Sequence, residues 1–438
     1  MNTLQRAVAN SVSNLPVLGL AKLLRLKFSE QGVEISSRRS ELLARQALAG
    51  KSEFSIPGER TGSVHVALTE EDSRSVVKWV DHFLENDLEQ LLLKLQNDAA
   101  SRTFASLKRR WPAERRRQKG EINEFRNRLY ERWRTGITKL HMLVTLAREL
   151  GDNINRDARQ SPAPSKAALV EALTRLHARS CQVAEEVIVL LESGFANGAI
   201  ARWRTMHEIA VIAMFISDQG NECAERYIDH QVVESYKGAQ EYEVVSVKLG
   251  YDPIPAPEMD QIRYQYDHAI KQYGPSFAGQ YGWAAKYLPG KQATFREIEK
   301  AAKIDYLRGH YRMASHGIHA NPKGIFFSVT SMFPTEVLLA GPSNSGLADA
   351  GDGAAHSLLT ASAMLLSLSP GFDYQVAVRV MGLLREEISA AFQRAHQKLY
   401  RDEQMLRVAE AEADKAISEL MASGKLTPEL LKEAERLR

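Results

Sequence analysis

The sequence predicts an all-α protein, a helical bundle with an additional N-terminal helical region and a C-terminal helical tail. Three observations predict it. Apolar residues recur at helical spacing along most of the chain. Capping sequences, prolines and glycines punctuate those segments at helix length. Strand-like content is confined to one stretch, Gly324–Gly353, where IFFSVTSMF suggests a short hairpin.

Composition narrows the class. The chain has 438 residues, enough for two or three folding units, with 44% hydrophobic and 25% charged residues, the normal globular range. Cys181 and Cys223 are the only cysteines and lack Cys-x-x-Cys spacing. A disulfide framework and a thiolate zinc site are therefore unexpected, and a reducing, cytoplasmic setting is expected. The N-terminal apolar patch Leu15–Leu20 is interrupted at Lys22 and Arg25 and reads as a surface or docking helix, or else a membrane-surface helix, and as a poor secretion signal. LLTASAMLLSL (358–368) is far short of the ~20 apolar residues of a membrane span.

Taken in order, Thr69–Asp72 is a capping signal, and Val76, Val77, Val80, Phe83, Leu84, Leu88, Leu91 and Leu92 follow at helical spacing. Pro112 breaks or kinks that pattern, after which a second helix is expected to about Leu150. The polar stretch Gly151–Ser165 reads as a linker. Helices over 166–191 and 199–216 flank a tight loop, Ser193–Gly198, and a polar helix follows from Cys223 to about Leu249. Asp252–Pro257 is a break, and Gly274–Ala293 an ordered loop. Thr294–Glu297 is a capping box opening a helix that runs on or restarts before His319 and ends at Asn321-Pro322. Helix resumes from His356, and the last forty residues read as an extended tail. The expected regions are thus 1–150, 151–400 and 401–438.

Charge is uneven. Between Arg102 and Arg134 there are 12 Lys and Arg against 4 Glu, an excess of 8 against +3 for the whole chain. Arg109, Arg110, Arg115, Arg116, Arg117 and Lys119 are candidate nucleic-acid contacts, because concentrated cations attract polyanions whatever their sequence. Trp111 and Trp133 would either stack on bases or pack into neighbouring helices.

Two segments carry candidate chemistry. AIARWRTMHEIA (199–210) places Arg202, Arg204, His207 and Glu208 in an otherwise apolar helix. Charge there needs a partner, so the cluster is an internal ion-pair network or a site. Arg204 and Glu208 are one turn apart, but Arg before Glu is the weaker orientation, which favours a partner from elsewhere. In YRMASHGIHANP (311–322), Arg312, His316 and His319 share one helix face, with Ser315 beside them. Histidine can act as acid or base near neutral pH and arginine can stabilise phosphoryl charge. The same histidines could hold a metal with Asp305 or His310, or could simply satisfy buried backbone groups. Both polar faces are expected to pack together, with His207 close to the Arg312–His319 face and Glu208 pairing an arginine. There is no Gly-rich phosphate loop, GxSxG elbow, HExxH or zinc-finger spacing, so the reading contains no metal and no cofactor.

LLESGFANGAIARWRTMHEIAVIAMF followed by YRMASHGIHANP resembles the bacterial domain of unknown function 5677, over roughly Ser165–Tyr400. That family is similar in layout to the HEPN helical bundles, many of them metal-independent ribonucleases of toxin and phage-defence systems whose motif is Arg, four to six residues, then His. Arg202–His207 and Arg312–His319 fit by length, although Trp203 and Met313 stand where a polar residue is usual. The resemblance implies an HEPN-like ribonuclease that binds RNA. The alternative is a non-catalytic helical module binding a partner protein or nucleic acid, through the N-terminal helices or the C-terminal tail, and self-association is compatible with either.

Overall fold

The structure is a computed structural model that describes residues 2–57, 62–160, 164–290, 293–316, 318, 322–326, 332–333, 338–369, 371–424 and 427. The fold is all-α, with one two-stranded hairpin among the described residues. The chain forms two compact units, Met1–Glu121 and Ile122–Arg438.

The first unit contains α1 (Asn2–Ser13), α2 (Leu15–Glu30), α3 (Ser37–Leu48), strands β1 (Glu53–Pro57) and β2 (Ser63–Ala67), α4 (Glu70–Asn86) and the start of α5 (Leu88–Gln160). The N-terminal apolar patch is neither a surface nor a membrane helix. Val17, Leu20, Leu24 and Phe28 of α2 are the centre of a small core shared with Ala44, Phe54, Ile56, Val66 and Val76. The hairpin is antiparallel, with Phe54 opposite Val66 and Ile56 opposite Val64. Its alternate residues face that core, which stabilises a pairing too short to persist alone. A sheet therefore occurs at 53–67, contrary to the expectation that strands would be confined to the Gly324–Gly353 region. The capping box at Thr69 is present, with Asp72 closing it.

Helix α5 runs unbroken through Pro112. Proline removes one helical bond, but residues around Lys108 are exposed, so water can take the freed carbonyl. The expected linker at 151–165 is also helical as far as Gln160, because Ile154 is anchored in the core of the second unit.

That second core is built by the C-terminal half of α5, α6 (Ala167–Glu192), α7 (Ala196–Gln219), α14 (Leu347–Leu366) and α15 (Phe372–Ala422). Between α7 and α14 come α8 (Asn221–Asp229), α9 (Gln231–Leu249), α10 (Ala256–Tyr273), α11 (Phe295–Ala301), α12 (Arg308–His316) and α13 (Pro322–Phe326). Gly194 makes the α6–α7 turn at φ +76°, where a Cβ would also meet the Phe125 ring and the Ser343 carbonyl. From 274 to 290 the expected loop is ordered by 3₁₀ turns that bury Phe277 and Trp283.

α14 begins nine residues before the expected start at His356. Gly351 and Gly353 look like loop residues, but both are points of close packing. A Cβ on Gly351 would meet the Phe392 ring at 2.3 Å, and one on Gly353 would meet Trp203 Nε1 at 2.5 Å. Pro322 opens a helical turn that runs to Phe326, where its preset φ is favourable; most of the stretch expected to be strand, 327–331 and 334–337, lies outside the described residues. The tail from 401 continues α15 and is solvent-exposed up to Ala422. No helix among the described residues is long and apolar enough to cross a membrane.

Candidate functional site

Helix α7 lies between α6, α14 and α12, so its polar residues meet neighbours on several sides. His207 is completely buried, and its Nε2 is 3.0 Å from Oε1 of Glu299 on α11, which is also fully buried. Glu299 Oε2 accepts from Arg308 Nη1 at 2.5 Å, at the first residue of α12. Burial pulls the His207 pKa below its ordinary value despite the carboxylate beside it. The neutral ring then donates from Nε2, while buried Nδ1 has no hydrogen-bond partner.

Beside it on α7, Tyr311 of α12 donates to Glu208 Oε1 at 2.6 Å and accepts from Arg204 Nη2 at 2.8 Å. Arg204 Nε and Glu208 Oε1 are 3.2 Å apart, an ion pair outside hydrogen-bond angle. The partner from elsewhere is thus a tyrosine inserted into the arginine–glutamate pair. Burial, then the Glu208 hydrogen bond, raise the Tyr311 pKa and keep the phenol protonated. Phe295 and the Arg204 and Arg308 guanidinium groups surround the same ring.

On the other side of α12 a cavity of about 290 Å³ opens. α7 contributes Asn197, Ile200 and Trp203 to its wall, α12 contributes His310, Met313 and His316, and the 3₁₀ turn Asp305–Leu307 contributes Tyr306 and Leu307. Asp349, Asp352, Gly353 and His356 of α14, Arg385 of α15, Lys323 of α13 and Ala314 of α12 complete it. Three imidazoles, two cations and two carboxylates therefore meet over a partly apolar floor. Burial is the main cause that lowers the His356 pKa, and Arg385 adds to it. His356 Nε2 and the Tyr306 hydroxyl are 3.0 Å apart. Among the described residues, no three His, Cys, Asp or Glu side chains converge as metal ligands would.

Residues 170–332 match the model of a family of unknown function, DUF5677. The matched segment includes both motif helices, but ends before α14 and α15, which supply Asp352, His356 and Arg385 to the cavity. The match is narrower than the expected Ser165–Tyr400. No curated protein and no solved structure matches the chain.

Within the DUF5677 segment, α7 and α12 are indeed neighbours, and His207 and Tyr311 have ring centroids 5.4 Å apart. The shared cleft is not where it was expected. His207 faces the core, and Arg204 and Glu208 bond Tyr311. Arg202 pairs with Glu186 of α6 at 2.5 Å, and Arg312 is exposed. The reason is rotational. Tyr311 and Ala314 are the buried face of α12, and Arg312 lies about 100° from the first and 200° from the second. Ser315 Oγ donates to its own helix at the Tyr311 carbonyl, 2.9 Å away. Of the eight expected site residues only His316 lines the cavity; His319 lies outside the described residues. Of the two residues considered as extra metal ligands, His310 lines the cavity and Asp305 does not. Sequence reasoning missed Glu299, Asp352, His356 and Arg385. The signal for two of them was present: LADAGDGAAHSLL places Asp352 and His356 in an Ala-rich helix, the same anomaly that singled out α7.

The basic stretch divides likewise. Arg109, Arg110, Arg115, Arg116, Arg117 and Lys119 are exposed, although Arg117 is paired with Glu114 and Glu121. At 100° per residue they spread around the helix rather than forming one stripe. Farther on, Arg126 bonds Ser193, Arg132 pairs with Asp402, and Trp133 is buried with Nε1 on Asn344 at 2.7 Å. Trp133 is therefore a core residue with no face for a base, whereas Trp111 is 49% exposed.

Proposed function

We propose that the chain is a metal-independent, HEPN-like ribonuclease of bacterial defence type that works in the His310–His316–His356 cavity. The observation that carries the reading is the convergence of three imidazoles with Arg385 and Lys323 in one cavity. Cleavage of RNA needs a base at the ribose 2′-hydroxyl and an acid at the leaving 5′-oxygen. His356, kept neutral by burial, suits the first role once the Tyr306 hydroxyl moves aside. His316 or His310 supplies the proton for the second. The 2′-oxygen attacks phosphorus, the 5′-oxygen leaves with that proton, and a 2′,3′-cyclic phosphate remains. Arg385 and Lys323 hold the phosphate, and the exposed cations of α5 add sequence-independent affinity for RNA.

The Arg204–Glu208–Tyr311 and His207–Glu299–Arg308 networks support a different role for the sequence motif. Their polar groups are engaged with one another inside the bundle, so they hold α11 and α12 against α7. That is the observation favouring the second reading, a non-catalytic module in which the cavity binds a nucleic acid without cleaving it.

The test is purified protein with total RNA, with and without chelator, followed by analysis of fragment ends. Cyclic phosphate ends are expected in both. His316→Ala and His356→Ala should each lower the rate about 10²–10⁴-fold, whereas Arg202→Ala, in an ion pair away from the cavity, should retain it. RNA left intact by the wild-type protein would refute the enzyme, and full activity in both histidine variants would refute the site.

A further inference from the structure

We infer that the cavity is a guanine-reading subsite, with Asp352 as the residue that recognises the base. The inference rests on the proposal that this cavity takes RNA, and it names which nucleotide enters.

The floor and walls suit a planar base. Ile200, Leu307 and Met313 present apolar surface, with a small part of the mostly buried Trp203 behind it, and about 290 Å³ is near the lower end of ligand pockets, roughly 300 Å³. Unpaired bases are recognised by such stacking together with hydrogen bonds to their Watson–Crick edge. Trp203 is held rigidly beneath that wall. Its Nε1 donates to Ser357 Oγ at 3.2 Å, and Gly353 leaves the space in which the indole sits against α14.

Asp352 decides the base. Its Oδ1 is buried and carries no hydrogen bond. The Arg385 guanidinium is 3.8 Å from that atom, near enough for attraction but beyond hydrogen-bond reach, and Arg385 Nε is also without a hydrogen bond. A buried carboxylate oxygen without a donor is costly, so the site favours a ligand that brings one. An ionised carboxylate only accepts. Guanine alone presents two adjacent donors, N1–H and the N2 amino group, which match the two carboxylate oxygens once the carboxylate turns Oδ1 from beside Arg385 into the cavity. Adenine and cytosine each set a ring-nitrogen acceptor beside their amino group, and uracil sets its single N3–H between two carbonyl oxygens. Those acceptors would face the carboxylate and be repelled. With the base so held, its phosphate would meet Arg385 and Lys323 on the same cavity wall.

The test is calorimetric titration of the full chain at pH 7 with the 3′-monophosphates of guanosine, adenosine, cytidine and uridine. Guanosine 3′-monophosphate should bind at least about tenfold more tightly than the others, the discrimination expected of one bidentate base contact. Asp352→Asn, which turns one acceptor into a donor, should reduce the preference to within about threefold. Circular dichroism of the variant checks its fold, and the wild-type preference needs no variant at all. Equal affinity for all four would overturn guanine reading and leave the cavity as a nucleotide site. An undiminished preference in Asp352→Asn would overturn the role of Asp352. Absence of binding by all four would overturn both this inference and the proposed ribonuclease site.

Discussion

Glu299→Ala should be among the most damaging single changes in the DUF5677 segment, and its cost follows from the groups it leaves behind. Glu299 and His207 are both fully buried, so no water replaces the missing carboxylate at His207 Nε2. His207 Nδ1 already lacks a partner, so the substitution leaves both ring nitrogens unsatisfied. Arg308 is 40% exposed and can be rehydrated, so its share is minor. An orphaned buried polar group costs about 1–3 kcal/mol, and breaking a buried ion pair about 3–5 kcal/mol. With Arg308 rehydrated and the desolvated carboxylate gone, about 3 kcal/mol is expected. For a cooperative unit of roughly 320 residues, with an unfolding entropy of about 0.7 kcal/mol per degree, that is a fall in Tm of about 4–5 °C. Glu299→Gln keeps an acceptor for the imidazole and should lose about half as much. Thermal unfolding followed by far-ultraviolet circular dichroism measures both. The alanine variant should also bind nucleotide more weakly, because Glu299 holds the first residue of the helix that carries His310 and His316. Melting within about one degree of wild type would refute the claim that this carboxylate is the hub joining α7, α11 and α12.

Other outcomes follow from the same geometry. Gly353→Ala would set a Cβ 2.5 Å from Trp203 Nε1, so a destabilisation of about 1–3 kcal/mol and a shift in tryptophan emission are expected. Burial pulls the His177 pKa down to about 4 from an ordinary 6.5, so the unfolded chain binds more protons between those values. Stability contributed by neutral His177 is thus complete above pH 6.5 and falls by roughly 3 kcal/mol towards pH 4. His177→Gln should flatten that part of a denaturant-midpoint profile against pH. Reversing charge at Arg115 and Arg116, both exposed, should weaken RNA retention and lower the salt slope by about 0.7 for each phosphate no longer neutralised. Unchanged retention at low salt would make this part of α5 a solvated face only.

The sequence alone was enough for the all-α class, the capping boxes at Thr69 and Thr294, the ordered loop that starts at Gly274 and the pairing of Glu208 with an arginine. These are local properties. Helical period, cap chemistry and i,i+4 proximity act over a turn or two and leave their trace in adjacent letters. The hairpin was legible as well, since EFSIP and SVHVA alternate on either side of a turn-rich stretch, but two five-residue strands are easily passed over within a helical pattern.

Tertiary structure decided the rest. RTMHE announced charge inside an apolar helix, but which neighbour would neutralise each group depended on how α7 is rotated within the bundle. That rotation is set by Trp203, Met206 and Ala210 packing against distant helices. A turn of about 100° separates a histidine that faces a cavity from one sealed against Glu299. The same is true of glycine: Gly351 and Gly353 read as loop from composition and become helical because Phe392 and Trp203 need the space above them. Charge in an apolar helix predicts that a partner exists, because burying it unpaired is too costly; only the packing of residues far apart in the chain identifies that partner.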